Sequence, residues 1–271
     1  MRRRLDTELV RRGLVATRGR ALAEIDAGRV LVAGATASKA ATMVDPSQAI
    51  EVLGPAPPFV GRGGDKLDAA LQSFAVDVAG SRGLDAGSST GGFTDCLLQR
   101  GAAEVVAVDV GYGQLHERLR GDPRVVVLER TDIRAVDLSQ LGGPADVVVA
   151  DVSFISLRTV LGALLGLAVP GAPVVALVKP QFEAGRVEAS RGRGVVRHPD
   201  VWRRVLGEVA GAFEARGATI AGAMVSPLTG ARGNVEFFLY ARAPGAPAGD
   251  LPGSVDLDAV VSEAARREEG S

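Results

Sequence analysis

Asp85-Ala-Gly-Ser-Ser-Thr-Gly-Gly-Phe93 lies between a short apolar run and a helical one. Gly83-Leu-Asp85 reads as the end of a buried strand, and residues 92–100 as a helix. Glycines at such a turn let bare backbone amides approach a ligand, and the helix N-terminus adds a positive dipole end. A turn of this kind suits NAD, ATP or S-adenosylmethionine. The spacing prunes these choices: Gly87, Gly91 and Gly92 do not form G-x-G-x-x-G, and no G-K-[ST] follows. What remains is an acidic start, Asp85-x-Gly87. The candidate cofactor contacts are Asp85, Gly87, Ser88, Ser89, Gly91, Gly92 and Phe93.

Outward from this turn, strands and helices alternate. Helices are expected over 65–74, 92–100, 114–120, 155–167 and 200–216. Strands are expected over 83–85, 104–110, 125–128, 146–150, 174–178, 220–225 and 235–241. Alternation at this length means an α/β fold with a doubly wound, mainly parallel sheet. Asp109 ends the strand after the glycine turn, where a carboxylate accepts hydrogen bonds from both ribose hydroxyls of an adenosine. Asp132 follows the third strand and is placed near an adenine amine. Three acids at successive strand ends favour an adenosine-type cofactor.

Among 31 basic residues only Lys39, Lys66 and Lys179 are lysines. An amine loses its proton when desolvated or crowded, whereas a guanidinium does not. Lys179 ends the apolar run Ala172-Pro-Val-Val-Ala-Leu-Val-Lys179, so it points into the crevice at the strand ends. Asp151 ends Val147-Val-Val-Ala-Asp151 beside the glycine loop. Glu236 opens the last strand and shares that edge if the strand runs antiparallel. Lys66 lies on the helix entering the domain. Two cations and two anions in one crevice suit alkylation of a poorly acidic hydroxyl, which must be aligned and must shed a proton. The same four residues would also serve as two structural ion pairs.

Residues 1–58 read as a separate unit. Leu5, Leu9, Val10 and Leu14 recur at helical spacing; Ala21, Leu22 and Ile25 mark a second helix over 17–27; short strands follow at 30–32 and 49–52. Gly54-Pro-Ala-Pro-Pro58 is a linker by composition. Residues 1–20 carry seven arginines against Asp6 and Glu8, although the whole chain has a net charge of -1. Clustered arginine is suited to phosphates. The main domain is expected over 59–243. A flexible tail, with a short helix around 257–266, is expected over 244–271. Cys96 is the lone cysteine, which excludes intrachain disulfides and cysteine-ligated metal sites. His116 and His198 read as ordinary surface or packing residues, and no metal is expected. Residues 161–178 are uncharged and mostly apolar, but Pro170-Gly171 and Pro173 break them, so a helix, turn and strand fit better than a membrane span. No secretory signal is apparent. A cytoplasmic monomer is expected.

The front unit, through Arg4-Leu-Asp6, Leu9-Val10, Gly13-Leu14, Thr17-Arg18, Ala21, Ile25, Gly28-Arg-Val30 and Val32-Ala-Gly34, resembles the S4 RNA-binding domain of the α-L type. That resemblance implies that Arg3, Arg4, Arg11, Arg12, Arg18 and Arg20 face RNA phosphates. The D-x-G-x-x-x-G-G loop with the K-D-K-E set resembles the FtsJ-like ribose 2′-O-methyltransferases, whose domain is a Rossmann-like class I methyltransferase. With Arg62-Gly-Gly-Asp-Lys66, Asp109-Val-Gly-Tyr-Gly-Gln-Leu115, Asp151-Val-Ser-Phe-Ile-Ser156, Lys179-Pro-Gln-Phe-Glu183 and Gly194-Val-Val-Arg197, the chain is similar to the TlyA family. Membership implies S-adenosylmethionine as donor and 2′-O-methylation of cytidine in bacterial ribosomal RNA within ribosomal subunits. The arginine-bearing arm resembles the longer family form, which modifies both 16S and 23S RNA. Two other readings stand beside it: an RNA-binding assembly module with an inactive catalytic domain, and, from the family's haemolysin label, a membrane-active protein.

Overall fold

The computed structural model describes residues 2–15, 17–26, 28–54, 58–185, 194–246 and 255–269. The chain divides into two compact units, Met1–Pro58 and Phe59–Ser271. Residues 55–57 of the expected linker, Ala27 at the end of the expected second helix, and residues 247–254 of the expected tail fall outside the described residues.

The first unit contains β1 (Arg3–Arg4), α1 (Leu5–Arg11), α2 (Arg18–Asp26), β2 (Val30–Val32), β3 (Ala35–Thr36), β4 (Met43–Val44) and β5 (Ile50–Val52). β2 pairs antiparallel with both β3 and β5, and β1 with β4. Leu5, Leu9, Ala21, Ile25 and Val30 close a small core with Val15 and Val44. Leu14 and Leu22, expected on the apolar faces of the helices, are exposed instead. Leu14 lies beyond the end of α1 at Arg11, and Leu22 sits on the outward side of α2. The β1–β4 pair was not legible, because two arginines carry no strand pattern.

The second unit continues with α3 (Arg62–Ser73), β6 (Arg82–Ala86), α4 (Gly92–Gln99), β7 (Glu104–Val108), α5 (Glu117–Arg120), β8 (Val125–Leu128) and α6 (Leu138–Leu141). It closes with β9 (Val147–Ala150), α7 (Leu157–Gly166), β10 (Pro173–Val178), α8 (Pro180–Glu183), α9 (Pro199–Glu214), β11 (Thr219–Val225), β12 (Phe237–Arg242) and α10 (Leu257–Glu269). The seven strands lie in the order β11-β12-β10-β9-β6-β7-β8. β6 to β10 are mutually parallel where they pair, while β12 runs antiparallel to β10 and β11. The near-continuous apolar strands follow from burial on both faces. One side packs Trp202, Val205 and Phe213 of α9 and Val160, Leu161 and Leu164 of α7. The other packs Leu67 and Leu71 of α3 and Phe93 and Leu97 of α4. The run 161–178 is divided between α7 and β10, with Gly171 at φ +73° between them. No helix among the described residues is long and apolar enough to cross a membrane.

The C-terminal segment departs from expectation. The short helix expected around 257–266 is present as 13 residues over 257–269, and it is packed rather than flexible. Val260, Val261 and Ala264 are buried against the α9 side of the sheet, and Arg203 of α9 pairs with Asp258. Its acid-rich composition suggested solvation, yet three small apolar residues at i, i+1 and i+4 suffice to seat a helix. Replacement Val261→Asp is expected to lower the thermal midpoint clearly, because an unpaired carboxylate would enter an apolar contact. An unchanged melting curve would return this segment to the status of a tail.

Candidate active site

All the strand-end candidates lie at one end of the sheet. Ala86 is in register with Ala150, and Ala150 with Ala176, so β6, β9 and β10 deliver Asp85, Asp151 and Lys179 to the same edge. Val178 faces Phe237, so the next residues outward, Lys179 and Glu236, stand at neighbouring positions. β12 is antiparallel and brings its beginning where the parallel strands bring their ends.

The glycine turn is held by Gly87 N–H and Ser88 N–H, both donating to Val108 O, and by Gly91 N–H donating to Ser88 O. Gly87 has φ +88° and Gly91 φ +94°. A Cβ on Gly87 would lie 2.6 Å from the Asp151 carbonyl oxygen, and one on Gly92 would lie 2.8 Å from Gly64 N. Gly87 and Gly92 therefore tolerate no side chain: one is pressed against the Asp151 backbone and the other against helix α3. Beside it opens a cavity of about 310 Å³ lined by Gly87, Ser89, Asp109, Asp132, Asp151 and Phe154, among others. A recess of about 100 Å³ adjoins it, lined by Gly87, Ser88, Ser89, Gly92 and Phe93. Phe93 itself is buried and stacked on Phe238.

The acids differ in state. Asp109 accepts from Ser89 N–H at 2.8 Å and Gly111 N–H at 2.6 Å, which fixes its carboxylate at the cavity wall. Asp132 accepts from Arg134 through both backbone and guanidinium, so it caps a short 3₁₀ turn as well as lining the cavity. Asp85 is fully buried beneath the turn. Its Oδ2 accepts from the Thr94 hydroxyl at 2.6 Å, and its Oδ1 has no partner among the described residues. Burial pushes its pKa up to about 7, against the Thr94 hydrogen bond and with help from the nearby Asp151 charge. Cys96, also buried, has its thiol pushed up to about 12 by desolvation, which leaves it inert at neutral pH.

The four charged candidates form two pairs. Lys66 Nζ lies 2.6 Å from Glu236 Oε2, both side chains buried. Gly230 packs so closely on Glu236 that a Cβ there would overlap the carboxylate. Lys179 Nζ lies 2.5 Å from Asp151 Oδ1 and donates to Ser153 Oγ at 2.7 Å. Ser153 was not singled out in sequence, since a serine two residues beyond a strand has no distinctive pattern. Neither was Phe154, which is 92% exposed with φ +65° and packs on Phe182, the rings tilted by 47° with centroids 5.3 Å apart. A large apolar side chain held outward in the left-handed region is uncommon and is over-determined by its surroundings.

In the first unit the arginines stand on buried acids. Asp6 accepts from Arg4 and Arg18; Glu8 accepts from Arg11 and Arg12 and lies near Arg3; Glu24 pairs with Arg20 and Arg29. The Arg4 guanidinium beside Asp6 holds that carboxyl well below the usual range, and Arg11 with Arg12 holds Glu8 down to about 2. Arg12 is the exception in the candidate set. Its guanidinium also donates to the carbonyls of Gln48, Asp45 and Pro46 and is only 21% exposed, so it ties α1 to a loop. Arg18, at 61%, keeps a broad face to solvent.

Residues 59–243 match the FtsJ-like methyltransferase family and residues 3–50 the S4 domain. The chain belongs to the FtsJ-like methyltransferase family, in its TlyA group. It is 52% identical over 242 residues, 89% of this chain and 90% of the other, to a Mycobacterium tuberculosis protein named 16S/23S rRNA (cytidine-2'-O)-methyltransferase TlyA. It is 35% identical to a Brachyspira hyodysenteriae protein named Hemolysin A, across 88% of this chain and 98% of that one. A solved Streptococcus thermophilus protein described as a hemolysin aligns with TM-score 0.74 at 37% identity, covering 99% of this chain and 98% of that one. As in other FtsJ-like enzymes, the cofactor is S-adenosylmethionine. The residues present fit it: a turn whose Gly87 and Gly92 admit only backbone, a carboxylate at the ribose position and an adjoining cavity.

Two outcomes follow. Asp85 has a folded-state pKa raised above its unfolded value, so its contribution is fully present below about pH 4 and is lost as pH rises through about 7. Relative to Asp85→Asn, the wild-type second unit should lose stability between those limits in urea titrations; a difference independent of pH would refute the assignment. For the arginines, Arg18→Gln leaves Arg4 on Asp6, and should lower the slope of log affinity for ribosomal RNA against log salt by about 1 without unfolding the unit. An unchanged slope would take Arg18 out of the RNA contact.

Proposed function

We propose that this chain transfers a methyl group from S-adenosylmethionine to the 2′-oxygen of cytidine in ribosomal RNA of both subunits, as a monomer, with the S4 unit holding RNA phosphates. The observation that carries the reading is the Lys179–Asp151 pair at the wall of the cofactor cavity, with Lys66–Glu236 next to it in register. The names of the relatives supply the substrate class. The cofactor contributes an electrophilic sulfonium methyl; deprotonation and alignment fall to the protein.

Lys179 is the better base of the two lysines. Lys66 is tied to a carboxylate with almost no exposure, whereas both partners of Lys179, Asp151 and Ser153, line the cavity. A neutral amine has two N–H bonds and one lone pair. With one N–H bond donated to Ser153 Oγ and Asp151 Oδ1 held 2.5 Å away as counter-ion, the lone pair would face away from Ser153, where a ribose hydroxyl fits. As the new O–CH₃ bond would form and the methyl's bond to sulfur would break, the sulfur leaving as a neutral thioether, the 2′-O–H proton would pass to Lys179 Nζ and then to solvent. The buried Lys66–Glu236 pair supports the neighbouring strand end from behind. Phe154, exposed next to this group, offers a face on which an unstacked base rests.

The two ion pairs would also be present in a purely structural arrangement, and an assembly factor with an inactive domain would share them. Transfer of tritiated methyl to separated ribosomal subunits decides between these readings. Incorporation at a cytidine 2′-oxygen is expected; cofactor binding without incorporation would favour the assembly module. For Lys179→Arg, which keeps the charge and loses the base, the single-turnover rate should fall roughly 10²-fold or more with cofactor binding near wild type. A rate within about threefold of wild type would return Lys179 to a structural role.

A further inference from the structure

Glu183 is a buried carboxylate outside the four charged residues, and no step above uses it. It ends α8, the short helix after Lys179. Its Oε1 accepts the Leu157 backbone N–H at 2.5 Å, and its Oε2 accepts the Ser156 hydroxyl at 2.5 Å. Leu157 is the first residue of α7, and Ser156 is the N-cap of that helix, accepting in turn from Arg158 N–H. The Arg158 guanidinium also reaches Glu183 Oε2 at 3.3 Å. A carboxylate from one loop thus completes the helix start that ends another.

Those two loops carry the proposed chemistry. Residues 151–156 hold Asp151, Ser153 and Phe154; residues 179–183 hold Lys179, Phe182 and Glu183. They are joined at three successive points. Lys179 meets Asp151 and Ser153 at one end, the Phe154 and Phe182 rings meet in the middle, and Glu183 meets Ser156 and Leu157 at the other end. The first join is at the cavity and partly open to solvent, and the second is a ring contact at the surface. The third is doubly hydrogen-bonded around the buried Glu183 carboxylate, with the Leu157 bond enclosed and the Ser156 bond partly so, and it sets the relative position of the loops. A backbone position such as that of Phe154, in the left-handed region, persists only where the flanking chain is held.

We propose that Glu183 is a positioning residue: by clasping Ser156 and Leu157 it keeps the 151–156 loop in register with the 179–183 loop. Asp151 and Ser153 are thereby presented to the Lys179 amine. This rests on the methyl-transfer reading above. The effect falls on alignment of base and acceptor rather than on RNA affinity, because none of the bonds involves the surface of the S4 unit. Misplacements of about 1 Å between reacting groups cost up to 10²-fold in rate.

The test uses the full chain with Glu183→Gln, Ser156→Ala and the double variant. Amide hydrogen exchange at residues 151–157 should quicken by about tenfold in Glu183→Gln, while the amides of β6, β9 and β10 keep their protection. The single-turnover methyl-transfer rate at saturating cofactor and RNA should fall about tenfold or more, with the half-saturating RNA concentration within about threefold of wild type. Ser156→Ala should lose several-fold in rate, and the double variant should be no slower than Glu183→Gln alone, since both changes open one clasp. Rates that multiply in the double variant would overturn the proposal. So would a Glu183→Gln that melts earlier yet turns over normally per folded molecule, which would make Glu183 a helix cap and nothing more. Should Glu183→Gln fail to fold, Ser156→Ala decides: wild-type exchange and rate there overturn the clasp. If the wild-type chain transfers no methyl, the function reading fails by itself. Hydrogen exchange then still judges the clasp, with unchanged exchange in the variants counting against it.

Discussion

Strand β12 runs against β10, and the site depends on that one reversal. The parallel strands β6, β9 and β10 end together because crossover connections return each strand to the same starting edge. An added parallel strand would put Glu236, which precedes β12, at the opposite edge. Six residues at about 3.3 Å each make that displacement roughly 20 Å. Antiparallel pairing, with Val178 against Phe237, instead sets Glu236 beside Lys179. The helical layer fixes the remaining member, because α3 packs on the face that also buries Phe93 and Phe238 and so brings Lys66 to Glu236.

Close approach of backbone is the second constraint. The glycine turn touches the Asp151 carbonyl and the start of α3 with no room for a Cβ. Cofactor turn, Asp151 and the helix carrying Lys66 are therefore packed directly on one another. The cofactor cavity and the charged pairs share a wall, Asp151, rather than lying in separate parts of the sheet. Burial of Asp85 under the same turn is the cost of this compactness: its unpartnered oxygen keeps the group protonated to near neutrality.

Buried acids recur as organisers of basic side chains. Asp6, Glu8 and Glu24 in the first unit, and Glu183 and Glu236 in the second, each hold one or more cations from below. Such pairs add little net stability, since desolvation offsets most of the attraction. What they supply is geometry. An arginine fixed on a buried carboxylate keeps its outer face directed to solvent with less rotamer freedom to lose on meeting a phosphate. For Arg12 the same logic is carried further, and the side chain is consumed by the fold.

The alternation of elements, the two units, the glycine turn and the acids at strand ends were legible in the chain because each rests on local chemistry. Periodicity, glycine spacing and the residue that ends an apolar run need no distant partner. The same holds for the identity of Lys66, Asp151, Lys179 and Glu236 as candidates. Their pairing was not legible, nor were Ser153, Phe154 and Glu183. A serine, an exposed phenylalanine and a glutamate in a short helix have no distinctive local pattern; their significance comes from contacts 26 to 28 residues away in sequence. The C-terminal helix was legible too, but its packing was not, because its acidic composition conceals three apolar residues that only α9 and the sheet make useful. Sequence by itself determined which chemical groups were available and on which kind of element. Tertiary structure decided which of them meet, because register, strand direction and burial are set by packing between segments that no local pattern records.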